Sequence, residues 1–226
     1  NFIFSLAFAP DGTKLAAGAG DGSLQVWAVP AGTPLLRLAG HTSTTRGAAF
    51  SPDGRRLASG GNDGIIKTWD AESGAELQTL EGHAYLINSL AFSPDGHLLA
   101  SGSRDGTVRL WDAASGAGLT ELNSGMGAVS SVAFAPAGTI LAAAGSDGSI
   151  VLWDPVSGGE IRRLAGPAAG VLSLAFSPDG RILASDDIRR RFGDMGLVPK
   201  GSSPEEFGAF LVAEMNRWKA VLGARK

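Results

Sequence analysis

The stretch "LLASGSRDGTVRLWD" occupies residues 98–112, and close variants of it recur. "KLAAGAGDGSLQVWA" begins at Lys14, "RLASGGNDGIIKTWD" at Arg56 and "ILAAAGSDGSIVLWD" at Ile140. Trp27, Trp69, Trp111 and Trp153 stand 42 residues apart, as do Asp21, Asp63, Asp105 and Asp147, each followed by Gly. Pro10, Pro52, Pro94, Pro136 and Pro178 keep the same step. A period of this length, held at so many positions, decides the architecture before any single residue is considered.

One period reads as four short strands. "SLAFSP" (89–94) alternates apolar and small residues, as a half-buried strand should. "PDG" supplies a turn, with Pro setting φ and Gly accepting a positive one. "LLASGS" (98–103) is small and apolar, suited to a crowded contact between sheets, and "RDG" (104–106) makes a second hairpin turn. "TVRLWD" (107–112) alternates again, and "ELQTLEGH" (76–83) in the preceding copy supplies the fourth strand. Each small antiparallel sheet is apolar on both faces and must be covered by its neighbours, which radial stacking achieves.

The Gly-His pairs Gly40-His41 and Gly82-His83, the Asp-Gly turns and the closing Trp69-Asp70, Trp111-Asp112 and Trp153-Asp154 resemble the WD-repeat β-propeller family over about residues 1–187. The resemblance implies an all-β fold. Here that would be an arc of four blades plus a half blade, in a family whose rings generally close with about seven. It also implies a buried relay within each blade, from His through Ser/Thr and Asp to Trp. The matching residues are His41, Ser59, Asp63 and Trp69 in the second copy, and His83, Ser101, Asp105 and Trp111 in the third. The first and fourth copies carry Ala17 and Ala143 where the hydroxyl belongs, and the fourth has Gly125 where His is expected. Those blades are expected to be less rigid.

Family partners dock on the rim made by the loop after each Gly-His and by the Asp-Gly turns. The matching stretch 42–46, with Arg46, and also Tyr85 and Arg104 form a candidate partner-binding rim. Exposed Tyr and Arg are common interface anchors, and the bland reading is ordinary loop residues. The implied function is a non-enzymatic scaffold for protein partners.

Chemistry of other kinds finds little support. His41 and His83 read as structural and His97 as a solvated turn residue, which leaves no His for catalysis. One Asp per turn is too few oxygens for calcium. "GAGDG" (18–22) lacks the Lys-Ser/Thr of a phosphate loop, and there is no nucleophile elbow or zinc-type His pair. No cofactor and no metal is expected. There is no cysteine, so disulfides are excluded. A net charge of −3 points to neither nucleic acid nor an anionic membrane as partner, and no apolar run is long enough to span one.

The fifth copy starts at "SLAFSPDGRILAS" (173–185) and loses the pattern there. The charge balance changes too, from net −7 over 1–187 to net +4 over 188–226. In "SSPEEFGAFLVAEMNRWKAVLGARK" (202–226), Ser203 caps, Pro204 suits the first turn and Glu206 completes a capping box. Phe207, Phe210, Leu211, Met215, Trp218 and Leu222 form one apolar stripe, which predicts an amphipathic helix. "IRRRFGDMGLVPKGSSPEEFGAFLVAEMNRWKAVL" (188–222) resembles the C-terminal end of the Bug family, the bacterial periplasmic receptors of tripartite tricarboxylate transporters. That implies an alternative function: a fragment or fusion related to a solute-binding receptor for small carboxylates. The WD-repeat body implies the cytoplasm and the tail implies the periplasm.

The chain begins inside a repeat, so a truncated larger propeller or a gene fusion is expected. An open arc would leave Phe4, Leu6 and Phe8 at one end, and Leu172, Leu174 and Phe176 at the other, facing water. A second copy of the chain, the rest of a longer protein, or closure of four blades into a small ring would cover these faces; the first two are favoured, and self-association of the purified chain as a homo-oligomer is the expectation.

Overall fold

Each repeat folds because its second strand is small enough to be sandwiched. In the computed structural model, β1 (Ile3–Phe8), β2 (Lys14–Ala19), β3 (Ser23–Ala28) and β4 (Pro34–Ala39) form one antiparallel sheet in chain order. The second sheet is β5 (Thr45–Phe50), β6 (Arg56–Gly61), β7 (Ile66–Asp70) and β8 (Glu76–Leu80). The third is β9 (Ile87–Phe92), β10 (Leu98–Ser103), β11 (Thr107–Asp112) and β12 (Gly118–Asn123). The fourth is β13 (Val129–Phe134), β14 (Leu141–Gly145), β15 (Ser149–Trp153) and β16 (Glu160–Ala165). A fifth, two-stranded sheet pairs β17 (Leu174–Phe176) with β18 (Leu183–Ser185). The structure describes residues 2–123, 125–165, 170–180 and the backbone of 183–185. The helix read from the sequence over 203–226, and the boundary near 187, lie outside the described residues.

Two boundaries differ from the sequence reading. The first strand of the third repeat ends at Phe92, which leaves Pro94 to the turn. The fourth strand of the second repeat ends at Leu80, so Gly82-His83 belongs to a loop and not to the strand. A strand would fix the His side chain perpendicular to its own sheet; a loop lets the ring turn inward. The outer strands are otherwise exposed and carry charge, with Arg37, Glu76, Glu121 and Arg163 along them. Charged edges discourage pairing with other chains.

The sheets pack in chain order. Phe50, Leu57, Trp69 and Ala71 of the second sheet cover Ala16, Leu24, Val26 and Leu38 of the first. Leu90, Leu99 and Trp111 of the third cover Ala58, Ile66 and Leu80 of the second. Val132, Leu141 and Trp153 of the fourth cover Ala100, Val108, Leu110 and Leu122 of the third. Val171 and Leu174 cover Ala142 and Ala144. Every joint sets the large residues of one sheet on a face of the sheet before it that is small on its second strand (Ala16, Ala58, Ala100, Ala142). Each buried Leu, Phe or Trp contributes roughly 1.5–3 kcal/mol before entropy is subtracted.

A bulge makes the tightest part of the first three joints. Pairing slips between Thr45 and Gly47, at Ile87 opposite Gly102/Ser103, and between Val129 and Ser131. The extra residue turns Thr45, Ile87 and Val129 toward the preceding sheet. There Thr45 Oγ1 donates to Gly22 O at 3.0 Å. Ile87 sits over Gly60 and Val129 over Gly102, so close that an added Cβ at either glycine would lie 2.6 Å from a methyl carbon. Polar clamps lock the third and fourth joints: Asn88 Nδ2 donates to Val129 O at 2.8 Å, and the amides of Val132 and Leu174 donate to Ser89 and Ser131 Oγ at 3.1 and 3.0 Å. Nearer the periphery Lys14 Nζ donates to Ala71 O and Glu72, and Arg56 Nη1 to Ala113 O.

The two ends of the series differ from each other. Phe4, Leu6 and Phe8 are exposed on β1. At the other end only Leu172 is; Leu174 is buried and Phe176 half-buried. The parity of β17 sends residues 174 and 176 back onto the fourth sheet and leaves Ala175 outward. The expectation that Leu174 and Phe176 would face water is thereby corrected.

Gly102→Ala tests the joint directly. The new methyl gains about 0.4–1 kcal/mol through the unfolded chain, but overpacking against Val129 costs about 1–3 kcal/mol. Urea melts should show net destabilisation, partly relieved by adding Val129→Ala. An unchanged melt of the single variant would contradict this packing.

Candidate functional site

Two sheets contain a hydrogen-bonded chain that runs from core to loop. In the third sheet, Trp111 Nε1 donates to Ser101 Oγ at 2.9 Å, and Ser101 Oγ lies 2.7 Å from His83 Nε2. His83 Nδ1 lies 2.8 Å from Asp105 Oδ2. A carboxylate accepts, so Nδ1 carries the proton and Nε2 accepts from the serine hydroxyl. The second sheet repeats the chain, with Trp69 Nε1 to Ser59 Oγ at 2.9 Å and Ser59 Oγ to His41 Nε2 at 2.8 Å. His41 Nδ1 is 3.1 Å from Asp63 Oδ2. The structure therefore brings together all eight residues matched to the relay. His83 also meets Trp111 edge-on, with ring centroids 6.2 Å apart.

The carboxylates have a second task. Thr42 N donates to Asp63 Oδ2 at 3.1 Å, and Ala84 N to Asp105 Oδ2 at 3.0 Å. Each Asp thus pins the start of the loop that follows its His. It also sits in a turn that glycine must close: Gly106 has φ +88°, and its amide returns to Ser103 O at 3.2 Å.

Electrostatics of the third relay follow from this geometry. Burial raises the Asp105 pKa, but bonds from the Thr107 hydroxyl and amide and from His83 outweigh it and hold the carboxyl down at about 2. Burial pushes the His83 imidazole down, against the pull of Asp105, so the neutral ring is favoured.

The first and fourth sheets are built differently at the same place. Asp21 and Asp147 bond their own turn serines, Ser23 and Ser149. In the fourth sheet Met126, one residue after the position matched to His, is fully buried. A Cβ at Gly145 would meet Met126, as one at Gly61 would meet His41. The repeat comparison placed Gly125 opposite His41 and His83, and an apolar residue one step later was the only hint.

The rim candidates separate in the structure. Tyr85 is 64% exposed, and its carbonyl accepts from Ser103 Oγ at 3.0 Å. Arg104 is exposed, and its amide donates to Leu86 O at 3.0 Å. Arg46 is half-buried and engaged: its Nε donates to Asn62 Oδ1 at 2.6 Å, and its guanidinium lies 5.1 Å from the centre of the Phe4 ring. That contact ties the second sheet to the first. His97 is exposed in its turn. Among the described residues no group of three or more His, Cys, Asp or Glu is placed to hold a metal ion.

Two outcomes are expected. Asp105→Ala should destabilise by about 1–3 kcal/mol, because His83 and the Ala84 amide lose their acceptor. Asp147→Ala should cost less, since that Asp is exposed and serves its own turn; equal losses in denaturant melts would contradict the assignment. The second outcome concerns pH. The unfolded chain binds a proton below about 6.5 that folded His83 refuses, so stability should decline as pH falls from 7 to 5. Asp105 adds stability present above about pH 4 and lost as pH drops toward 2. His83→Asn should flatten the upper limb in urea melts, and an unchanged slope would count against it.

Comparison with known families follows the repeat. The WD domain, G-beta repeat, matches at residues 1–28, 32–70, 74–112, 119–154 and 158–187. The match ends at residue 187, and the comparison gives no support to the expected likeness of residues 188–222 to the Bug receptors. No curated protein matches the chain. WD repeats generally serve as scaffolds for protein–protein interaction. Five consecutive matches over sheets of this construction mean that the chain belongs to the WD-repeat family.

Proposed function

We propose that the chain is a non-enzymatic scaffold that binds a protein partner through the loop rim of its third blade, centred on Tyr85 and Arg104. One observation carries this reading: an exposed aromatic ring stands on a backbone held from several sides. Ala84 is pinned by Asp105, the Tyr85 carbonyl by Ser103, and Leu86 by Arg104 and Ser103. A large side chain on a fixed loop loses little entropy on binding, and Tyr and Arg carry much of the energy in interfaces. Arg46 plays a different part, since its guanidinium is committed to Asn62 and Phe4.

Capture with the purified chain as bait, compared with Tyr85→Ala and Arg104→Ala baits of unchanged melting temperature, tests the site. Retention of the same partner should fall at least about tenfold for Tyr85→Ala, equivalent to about 1.4 kcal/mol or more. Equal retention by all three baits would overturn the rim assignment. A specific thermal shift with dicarboxylates and no captured protein would favour a carboxylate receptor instead.

A further inference from the structure

Charges on the outer strands come largely in pairs. Arg37 pairs with Asp21, Lys67 with Glu76, Arg109 with Glu121 and Arg163 with Glu160. At the other end of the sheets Lys14 pairs with Glu72. The loop rim is built differently. Arg46 and Arg104 stand there on neighbouring blades, and among the described residues neither lies within ion-pair distance of a carboxylate.

The two guanidiniums flank one aromatic ring. Asn62 and Arg104 hold the same position in successive Asp-Gly turns, 42 residues apart. Asn62 Oδ1 accepts from Arg46 Nε at 2.6 Å, and the Arg46 guanidinium lies 5.1 Å from the centre of the Phe4 ring. An amide and a ring face carry no charge, so these contacts fix the guanidinium without neutralising it. Its two Nη groups still present the planar fork that matches a carboxylate. Tyr85 lies between the two cations. A Cβ added at Gly64 would stand 3.3 Å from the Tyr85 carbonyl oxygen, so the Tyr85 backbone rests on the turn that Asn62 begins. On its other side the Arg104 amide donates to Leu86 O. Arg46, Asn62, Tyr85 and Arg104 therefore follow one another along the rim.

The nearest acids are spent inward. The Asp63 and Asp105 side chains are 8% and 10% exposed. Asp63 accepts from His41 and from the Thr42 and Ile65 amides, and Asp105 from His83, Thr107 and the Ala84 amide. The body as a whole carries net −7 over residues 1–187. A long polyanion such as nucleic acid would meet that field along its whole length. A short segment with a few carboxylates meets only the local cations, because charges more than about 8 Å away are largely screened at physiological salt.

We propose that this rim takes an acidic protein segment, in which one Asp or Glu carboxylate lies on Arg46, another on Arg104, and an apolar residue between them lies on Tyr85. The proposal rests on the rim reading given above and adds the chemistry of the partner. Arg46 serves as the fixed charge and Arg104 as the adaptable one, with the aromatic anchor between them.

A displayed library of random, unmodified twelve-residue peptides, selected on the full chain, tests this. Recovered binders should carry Asp or Glu on both sides of an apolar residue. Binding of a recovered peptide should fall at least about tenfold for Arg104→Gln at unchanged melting temperature, and should weaken steeply as salt rises. Arg46→Lys keeps the charge and loses the fork, so it should weaken binding less than Arg46→Gln does. Binders lost with Tyr85→Ala but unchanged with Arg104→Gln would leave the rim assignment standing and overturn the acidic partner. Binders indifferent to all of these variants would overturn both. A library that yields no binder, or single-stranded DNA that binds more tightly than every recovered peptide, would also overturn the proposal.

Discussion

The structure depends on one asymmetric contact: a face of Leu, Phe and Trp laid on a face whose first two strands carry Ala and Gly and whose last two carry Leu, Val or Ile. A four-stranded sheet of this size cannot bury enough surface alone. Leu57 and Trp69 are covered only because Ala16, Val26 and Leu38 lie beneath them. The asymmetry gives the stack a direction, since each blade has one face that projects and one that receives. It also sets the closeness of approach. Ile87 over Gly60 and Val129 over Gly102 leave no room for a methyl group, so the glycines matter for space there and not for backbone conformation. At the fourth joint the same position holds Ala144, buried against Val171.

Inside the blades, the hydrogen-bonded relays do a different job. Trp, Ser, His and Asp connect the covered face to the loop above it, and the Asp finishes by holding a loop amide. The rim of the third blade therefore inherits rigidity from the core. Thr107 adds a hydroxyl to Asp105 that Asp63, followed at the equivalent position by Ile65, does not have. The fourth blade has Gly125 in place of the His and Ala143 in place of the hydroxyl, with Met126 and Ala143 both fully buried. Packing alone is enough to form that blade, which separates what the relay adds from what the fold requires.

The sequence made the period, the turns and the strand order legible, because Asp-Gly, Pro-Asp-Gly and Trp recur at a fixed step that only a repeated sheet explains. The relay partners were legible for the same reason. Three things were not. The bulges that turn Thr45, Ile87 and Val129 backwards leave no mark in an alternation pattern, because a bulge breaks the very parity that such a pattern assumes. The parity of β17 sends Leu174 inward, which a count of apolar residues could not decide. Arg46 looked like a free rim cation, and its hold on Asn62 and Phe4 comes from residues distant in sequence.

If stability is carried by face-to-face cover, it must be unequal along the chain. Blades covered on both sides should resist opening, and a blade covered on one side should not. Native-state amide hydrogen exchange, resolved by strand, measures this directly. The account expects the slowest exchange in β6, β10 and β14, with β2 markedly faster although its sequence and pairing are nearly the same. Protection in β2 equal to that in β10 would mean that each sheet is stable by itself, and would contradict the claim that the joints hold the structure together.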